Sequence, residues 1–279
     1  MTSAAFQKHI WSWYRRHGRH DLPWRLTADP YNILVSEVML QQTQVSRVLR
    51  KYPQFLRTFP DVQTLARAPL SKVLEIWQGM GYNRRAAYLK RLAHIIMAEH
   101  GGLPGRQAGR IPYDPAILRR LPGIGPATAG AVAAFAFAKR VAFLETNIRR
   151  VYLHFFFPHR RRVADREILH EIQRTLPRRD PRQWYYALMD YGALALKGVE
   201  NPNRRARGYS RQSPFAGSRR ELRGKILTTL IRERGIPLPA LEERLRSGIR
   251  TSNAIRHAVA ALTREGLLIR KDGRVTIPQ

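Results

Sequence analysis

Apolar residues recur at three- and four-residue spacing through almost every segment of the chain up to about Gly198. No convincing run of alternating apolar and polar residues interrupts this pattern, so the body is predicted to be all-α. Asp29, Asp114 and Asp180 each precede a proline, which is the chemistry of a capped helix start. The predicted helices cover residues 6–17, 30–52, 70–78, 82–99, 115–120, 126–137, 147–156, 165–175 and 181–196.

Helical periodicity stops near residue 199, and a segment rich in Asn, Pro, Gly, Ser and Arg follows. We interpret 199–218 as a basic linker or loop. Beyond it, helical stretches at 219–234, 239–246 and 252–265 precede two short strands around an Asp-Gly turn. This order resembles a small winged-helix-like domain over residues 219–279. Such a domain could contact a duplex or serve as a protein–protein module.

The balance of charges favours a polyanionic partner, because 50 Lys and Arg residues face 20 Asp and Glu residues and give a net charge of +30. Nucleic acid is the leading candidate. A hydrophobic fraction of 44% indicates a globular chain with a core. No apolar run approaches the roughly 20 residues of a membrane helix, and the polar start has no secretory pattern. We therefore expect a cytoplasmic protein without membrane contact, associated with the nucleoid if it is bacterial.

The chain contains no cysteine. Disulfides, thiolate zinc sites and cysteine-held iron–sulfur clusters are therefore excluded. The nine histidines show no metal-ligand spacing, so no catalytic metal is expected.

A first motif, Ser-Glu-Val-Met-Leu-Gln-Gln-Thr-Gln-Val, starts at Ser36. Glu37 and Gln41 lie four residues apart, so they share one face of the predicted helix, and Gln44 falls one turn further on. Apolar neighbours should desolvate the Glu37 carboxyl and raise its pKa, which suits a group that gives a proton to a leaving base. The alternative is an ordinary surface glutamate on an amphipathic helix.

A second motif, Leu-Pro-Gly-Ile-Gly-Pro-Ala-Thr-Ala-Gly, runs from Leu121 to Gly130 and joins two short predicted helices. Glycines allow a tight turn and close backbone approach, and N–H groups at the following helix start suit a phosphate oxygen. Such a contact positions a duplex without reading its sequence. The alternative is a structural corner between two helices.

A third motif places Glu145 just before a predicted helix, in the run Glu-Thr-Asn-Ile-Arg-Arg. The positive end of the helix dipole and the N–H groups there should keep this carboxylate ionised. It could also be a simple charge-complemented cap. One carboxyl kept neutral at Glu37 and one kept charged at Glu145 would form the pair that glycosidic bond cleavage requires.

Together the motifs resemble the helix-hairpin-helix DNA glycosylase superfamily and, within it, the MutY-type adenine DNA glycosylases. The resemblance covers about residues 6–196 and includes Leu-Pro-Trp-Arg at 22–25, Gly-Met-Gly-Tyr at 79–82 and Leu-Met-Asp-Tyr-Gly-Ala at 188–193. It implies a glycosylase domain over 1–198 that is built from two helical subdomains. One is 28–113, and the other combines 1–27 with 114–198.

By this resemblance Glu37 is the catalytic acid, and Asn147 is a polar site residue that follows the second carboxylate at Glu145. Gln42 and Tyr82 correspond to residues that wedge into the stack around a flipped base, and Gln41 and Ala127 belong to the base pocket. Ala127 stands where bifunctional relatives carry a lysine, so β-elimination through a Schiff base should be absent or weak. The residues expected to contact DNA are Leu121, Gly123, Ile124, Gly125, Thr128, Arg84, Arg85, Arg204, Arg205, Arg207 and Arg256.

Three departures from the family pattern stand out. Glu145 replaces the catalytic aspartate and is one methylene longer. The stretch 197–210 has arginines where the family has four cluster-binding cysteines, which predicts a clusterless variant whose basic loop replaces that DNA contact. The C-terminal region is too short and too helical for the domain that recognises 8-oxoguanine in MutY enzymes. The only cofactor that the resemblance leaves is a monovalent cation held by hairpin carbonyls at residues 121–125.

The predicted protein is a monomeric, monofunctional DNA glycosylase that acts on double-stranded DNA containing a mismatch or lesion. It would flip a mispaired adenine, opposite 8-oxoguanine or guanine, and leave an abasic site. Two alternatives stay open: a glycosylase for G·T or G·U pairs or another damaged base, and a DNA-binding protein without catalytic activity.

Overall fold

The computed structural model describes residues 1–100, 110–246 and 251–279, which are mainly helical. The chain divides into two compact units, of which unit 1 comprises residues 1–37 and 112–211, and unit 2 comprises 38–111 and 212–279. The C-terminal residues therefore group with 38–111, whereas the sequence suggested a separate domain for them. Among the described residues no helix is long and apolar enough to cross a membrane.

Unit 1 is built from helices that pack around an aromatic core. Phe6 lies edge-on to Tyr152 and Trp184, with ring centroids 5.4 and 5.7 Å away, and all three side chains are fully buried. Aspartates cap three of the starts, as predicted: Asp29, Asp114 and Asp180 accept from backbone N–H groups of the first turn. Its helices are α1 (Ser3–His17), the start of α2 (Pro30–Leu40), α7 (Pro115–Leu118), α8 (Pro126–Phe137), α9 (Thr146–Phe155), α10 (Asp165–Thr175) and α11 (Pro181–Asp190), with 3-10 turns at Pro23–Arg25 and Pro202–Arg205 and a π turn at Tyr191–Ala195.

A buried ion cluster at the end of α11 fixes the segment that follows α1. Asp190 has no exposed surface and accepts from both ends of the Arg25 guanidinium, at 2.7 and 2.9 Å. It also accepts from the backbone N–H of Arg19 at 2.7 Å and from its Nε at 2.8 Å. These charge-assisted bonds satisfy a carboxylate that would otherwise be costly to bury.

Unit 2 combines the helices after α2 with the C-terminal elements. These elements are α3 (Val45–Thr58), α4 (Val62–Arg67), α5 (Leu70–Trp77), α6 (Arg84–His100), α12 (Arg219–Glu233), β1 (Ile236–Pro237), α13 (Leu238–Leu245), α14 (Ser252–Arg264), β2 (Ile269–Lys271) and β3 (Arg274–Thr276).

The C-terminal strands form an antiparallel sheet in the order β1-β3-β2, in which Val275 pairs with both Ile236 and Arg270. Three helices and a terminal hairpin were predicted, but β1 was not. Glu265, just after α14, holds this region to α6, because it accepts from Arg84 and Arg223 at 2.5 Å each.

The single helix predicted over residues 30–52 is wrong, because the chain leaves the helix between Leu40 and Val45. Gln42 adopts a left-handed conformation there, with φ of 53°. The carbonyls of Val38, Met39 and Gln41 accept hydrogen bonds from Arg85 at 2.9, 2.9 and 2.6 Å. A guanidinium thus satisfies carbonyls that a helix would have bonded to its next turn.

Candidate active site

Glu37 lies on α2 in unit 1 and is half-buried beside the fully buried Ile33 and Leu34. Burial, and to a smaller extent the negative charge of Glu145, raise the pKa of its carboxyl to about 8, against the opposing positive charge of Arg25. The predicted rise is therefore confirmed. At neutral pH this group keeps its proton and can act as an acid.

Glu145 is the N-cap of α9, also in unit 1. Its carboxylate accepts from the backbone N–H of Ile148 at 2.6 Å and from the side-chain amide of Asn147 at 3.3 Å. Hydrogen bonds from Asn147 and Ile148 favour the ionised form of Glu145, as expected of a cap, but burial outweighs them and raises its pKa. Sequence alone showed the cap but not the depth at which it lies.

The Glu145 carboxyl lies close enough to Glu37 for its charge to raise the pKa of Glu37. Glu145 is held by hydrogen bonds that favour its charged form, while no hydrogen bond in the described part of the chain offsets burial at Glu37. Burial raises the pKa of both carboxyls, and hydrogen bonds from Asn147 and Ile148 oppose that rise at Glu145 alone. That one carboxyl is neutral and the other charged during catalysis stays a prediction.

Two further side chains of unit 1 lie around Glu37, although sequence reasoning did not select them as site residues. Arg25, held by Asp190, lies over the ring of Tyr186, with 4.5 Å from its Cζ to the ring centroid. Burial raises the pKa of the Tyr186 hydroxyl, and the charge of Glu37 adds to that rise. Arg25 and Asp190 belong to the motifs at 22–25 and 188–193, so the sequence did contain a signal that could have identified Arg25 as a site residue.

Asn147 directs its amide to Glu145, so it orients the carboxylate. Its backbone is held from the other side by Gly192 in the π turn, where a Cβ would lie 2.4 Å from the Asn147 carbonyl oxygen. Only glycine fits at this approach. The first turn of α9 is thereby fixed at both the side chain and the backbone.

The predicted hairpin is present, also in unit 1, between α7 and α8. Gly123 has a left-handed φ of 80°, and the exposed Gly125 is the N-cap of α8. The side chains of Leu121, Ile124 and Thr128 are buried, so any contact of these residues with DNA uses their backbone. Ala127 is half-buried in the first turn of the same helix.

In unit 2 the segments around Gln42 and Tyr82 meet over Arg85. Arg85 donates to the carbonyl of Gln41 at 2.6 Å, to the hydroxyl of Thr43 at 2.9 Å and to the carbonyl of Gly81 at 3.1 Å. Gln42 and Tyr82 are both left-handed, with φ of 53° and 48°. The structure thus brings together the two residues predicted to wedge into the base stack.

Several arginines predicted to contact DNA have partners within their own unit, although the side chains of Arg84 and Arg256 remain exposed. Arg85 is buried and bonded to carbonyls, and this placement gives it no surface for a phosphate. Arg84 pairs with Glu265, and Arg256 pairs with Glu242 at 2.7 Å. Neither the family resemblance nor the position of Arg256 on a predicted recognition helix indicated these acidic partners.

The basic loop is organised by hydrogen bonds to backbone. Arg205 donates to the carbonyls of Leu153, at 2.8 Å, and Pro158, so it too is a structural residue. Arg150 donates to the carbonyl of Gly192 at 3.0 Å, and Asn203 to that of Thr146 at 3.2 Å. Within this loop the exposed arginines of the predicted set are Arg204, which faces Glu200 at 3.5 Å, and Arg207.

The residues of this loop do not fit an iron–sulfur cluster, because such a cluster needs thiolate ligands and the chain has no cysteine. Within the ranges that the structure describes, no group of three or more His, Asp or Glu residues could hold a metal ion.

Comparisons with known proteins agree with this geometry. A family model described as "HhH-GPD superfamily base excision DNA repair protein" matches residues 35–178. The chain is 33% identical over 297 residues to an adenine DNA glycosylase of Mycobacterium tuberculosis, which covers 96% of this chain and 91% of that protein. It is 34% identical over 195 residues to the adenine DNA glycosylase of Buchnera aphidicola, covering 70% of this chain and 54% of that relative, about half its length.

Solved structures of DNA glycosylases are also similar. A thermostable thymine-DNA glycosylase matches with a TM-score of 0.60 and 27% identity, covering 69% of this chain and 86% of that one. A structure titled as a non-covalent endonuclease III–DNA complex matches with a TM-score of 0.57, covering 72% of this chain and 90% of that one. At 18% identity that second likeness concerns the fold alone.

Proposed function

Because the chain belongs to the HhH-GPD superfamily of base excision DNA repair proteins and, within it, to the adenine DNA glycosylases, we propose that it is a monofunctional DNA glycosylase. Its proposed substrate is an adenine mispaired with 8-oxoguanine or guanine in a duplex. The single observation that carries this proposal is the Glu37 carboxyl, whose pKa burial and the charge of Glu145 raise to about 8, with Glu145 held at the start of α9 by the Ile148 N–H.

The reaction breaks the bond between the sugar C1′ and the adenine nitrogen. Glu37 gives its proton to the adenine, so the bonding electron pair leaves with a neutral base. The sugar becomes an oxocarbenium ion, which the Glu145 carboxylate stabilises by its charge. Water then adds to C1′ and releases a proton, and the products are free adenine and an abasic site.

The Asn147 amide and the helix start hold the Glu145 carboxylate in a fixed place, so little reorganisation is needed as the sugar becomes positive. Arg25 limits the pKa rise of Glu37, because its positive charge favours the ionised form. The raised value, about 8, keeps the acid protonated at neutral pH yet able to transfer its proton.

DNA binding is supported by the net charge of +30 and by the glycine hairpin that opens α8. The helix N-terminus and the exposed backbone at Gly125 suit a phosphate. Extrusion of the base costs a few kcal/mol and is easiest at a mismatch, which contributes selectivity before any base contact. Ala127 offers no amine for a Schiff base, so we expect no strand cleavage by this route.

The test is single-turnover base release on matched duplexes containing 8-oxoG·A, G·A, G·T or G·U. We expect adenine release from the first two, and loss of release but not of binding in Glu37→Gln. Glu75→Gln is the matched control, because Glu75 is exposed on α5 and forms a surface ion pair with Lys72. Full activity of Glu37→Gln would contradict the assignment of the acid.

A second candidate is removal of thymine opposite guanine, which the likeness to a thymine-DNA glycosylase at 27% identity favours. The same panel separates the two functions. Release from the G·T duplex alone would replace the adenine proposal. Binding to every duplex without any base release would instead indicate a DNA-binding protein without catalytic activity.

A further inference from the structure

Tyr82 and Gln42 form a small projecting cluster in unit 2, which we call the tip. Both residues are left-handed, a conformation that costs non-glycine residues energy and that persists where the surroundings hold it. The guanidinium of Arg85 lies 5.5 Å from the Tyr82 ring centroid and donates to the carbonyls next to both tip residues. The tip is therefore anchored from one side.

The C-terminal segment holds the tip from a second side. The hydroxyl of Tyr82 accepts hydrogen bonds from the Gln212 amide and from Nη1 of Arg220, the latter at 2.9 Å. The same Gln212 amide lies 3.4 Å from Oε1 of Gln42. Gln212 thus contacts both tip side chains, and Arg220 contacts Tyr82, although both residues lie more than a hundred positions away in sequence.

Arg220 is itself fixed by several contacts. Its Nη2 donates to the carbonyls of Ser213 and Pro214 at 2.5 and 3.2 Å. Its Cζ lies 5.9 Å from the Tyr82 ring centroid and 6.0 Å from that of Phe215, within the range of cation–π attraction. Arg220 therefore links the segment 212–215 to Tyr82 as one unit.

The position of Arg220 in its own helix is unfavourable. It lies in the first turn of α12, which begins at Arg219, where the helix dipole disfavours positive charge. Helix stability alone would place an acidic or neutral residue there. The contact with Tyr82 supplies a reason for arginine at this position.

We propose that Arg220, together with Gln212, is a positioning residue that holds Tyr82 in the orientation needed to enter a duplex. The inference rests on the proposed function in taking DNA as the partner and Tyr82 as a residue that enters the base stack. With two hydrogen bonds to its hydroxyl and two guanidinium groups at 5.5 and 5.9 Å from its ring centroid, the Tyr82 side chain is ordered before DNA arrives. The C-terminal region thereby contributes to base extrusion without touching the reacting atoms.

The experiment measures insertion separately from chemistry. A duplex carries 2-aminopurine beside the mismatch, and its fluorescence reports unstacking when Glu37→Gln protein binds. Arg220→Ala in this background should reduce the fluorescence change about tenfold at equal occupancy, the factor that corresponds to loss of one charge-assisted hydrogen bond. Arg220→Lys should recover part of it.

Arg219→Ala is the matched control, because Arg219 is the exposed neighbour in the same helical turn and removes the same charge. Tyr82→Phe removes the accepting hydroxyl. If Arg220 acts through Tyr82, the fluorescence change of the double variant Arg220→Ala/Tyr82→Phe should be no smaller than that of the single variant with the smaller change. Equal signals for Arg219→Ala and Arg220→Ala, or additive losses in the double variant, would overturn the proposal.

Failure of the proposed function would look different. If the wild-type protein released no base from any duplex but its fluorescence change depended on Arg220, the positioning role would stand and the enzymatic proposal would fall. If base release were normal and insertion did not depend on Arg220, only the positioning role would be wrong.

Discussion

Replacement of Glu37 by glutamine should change how stability depends on pH as well as abolish catalysis. The pKa of Glu37 rises from 4.5 to about 8 on folding, because of burial and then the charge of Glu145. Between these values the folded protein retains a proton that the unfolded chain has released. Stability therefore falls as pH rises through this window, and the loss is complete above about pH 8.

The rise in pKa corresponds to about 5 kcal/mol of preference for the neutral acid, at about 1.4 kcal/mol for each pH unit. Glu37 is half-buried, so water screens part of this preference, and we expect on the order of 2 kcal/mol in practice. Glutamine is neutral at every pH, so the variant does not lose stability as the pH rises. Glu37→Gln should therefore match the wild type near pH 5 and exceed its stability by that amount above pH 8.

Urea unfolding of both proteins across this pH range measures the difference, with Glu75→Gln as the exposed control that should show no such trend. The single-turnover rate of the wild type should fall above about pH 8, as Glu37 loses its proton. A stability difference that is independent of pH, together with a rate that stays constant well above pH 8, would refute the reasoning.

Three further substitutions test the structural account. Arg85→Met should destabilise the protein by about 3 kcal/mol in urea unfolding, because it leaves buried carbonyls without a hydrogen-bond donor. A change within experimental error would contradict the anchoring role of Arg85. Burial raises the pKa of Glu265, but hydrogen bonds from Arg84 and Arg223 lower it to about 2, so Glu265→Gln should cost about 3 kcal/mol near neutral pH. That cost should shrink as pH falls from 4.5 toward 2, and a constant cost would contradict it. Gly192→Ala should cost about 1–3 kcal/mol and slow base release, since its Cβ meets the Asn147 carbonyl oxygen, whereas normal thermal unfolding and rate would disprove that clash.

Helix boundaries and capping residues could be predicted from the sequence. The helices predicted at 126–137 and 165–175 have those boundaries in the structure, and the first of them has Gly125 and Pro126 at its start. Glycine turns and capping residues act on their immediate neighbours, so a single sequence contains the signal. The same holds for the Glu145 cap, which lies one residue before α9.

Features that depend on contacts between residues distant in sequence could not be predicted from the sequence. The helix break after Leu40 rests on Arg85, more than forty residues away, and the partner of Arg84 is Glu265. The pKa of Glu145 is set by burial that only the folded unit supplies. In each case the residue type was visible, but tertiary contacts decide what that residue does.

The left-handed backbone at Gln42 and Tyr82 bears on how this protein would respond to selection. Glycine adopts that conformation without strain, so it would relieve about 1 kcal/mol of backbone cost at each position, a gain that the lost contacts with Arg85 and Arg220 offset at Tyr82. A laboratory screen for thermal tolerance alone would therefore favour glycine at the exposed Gln42 and lose that side chain. Only a screen that also counts mutations in the host genome would retain it.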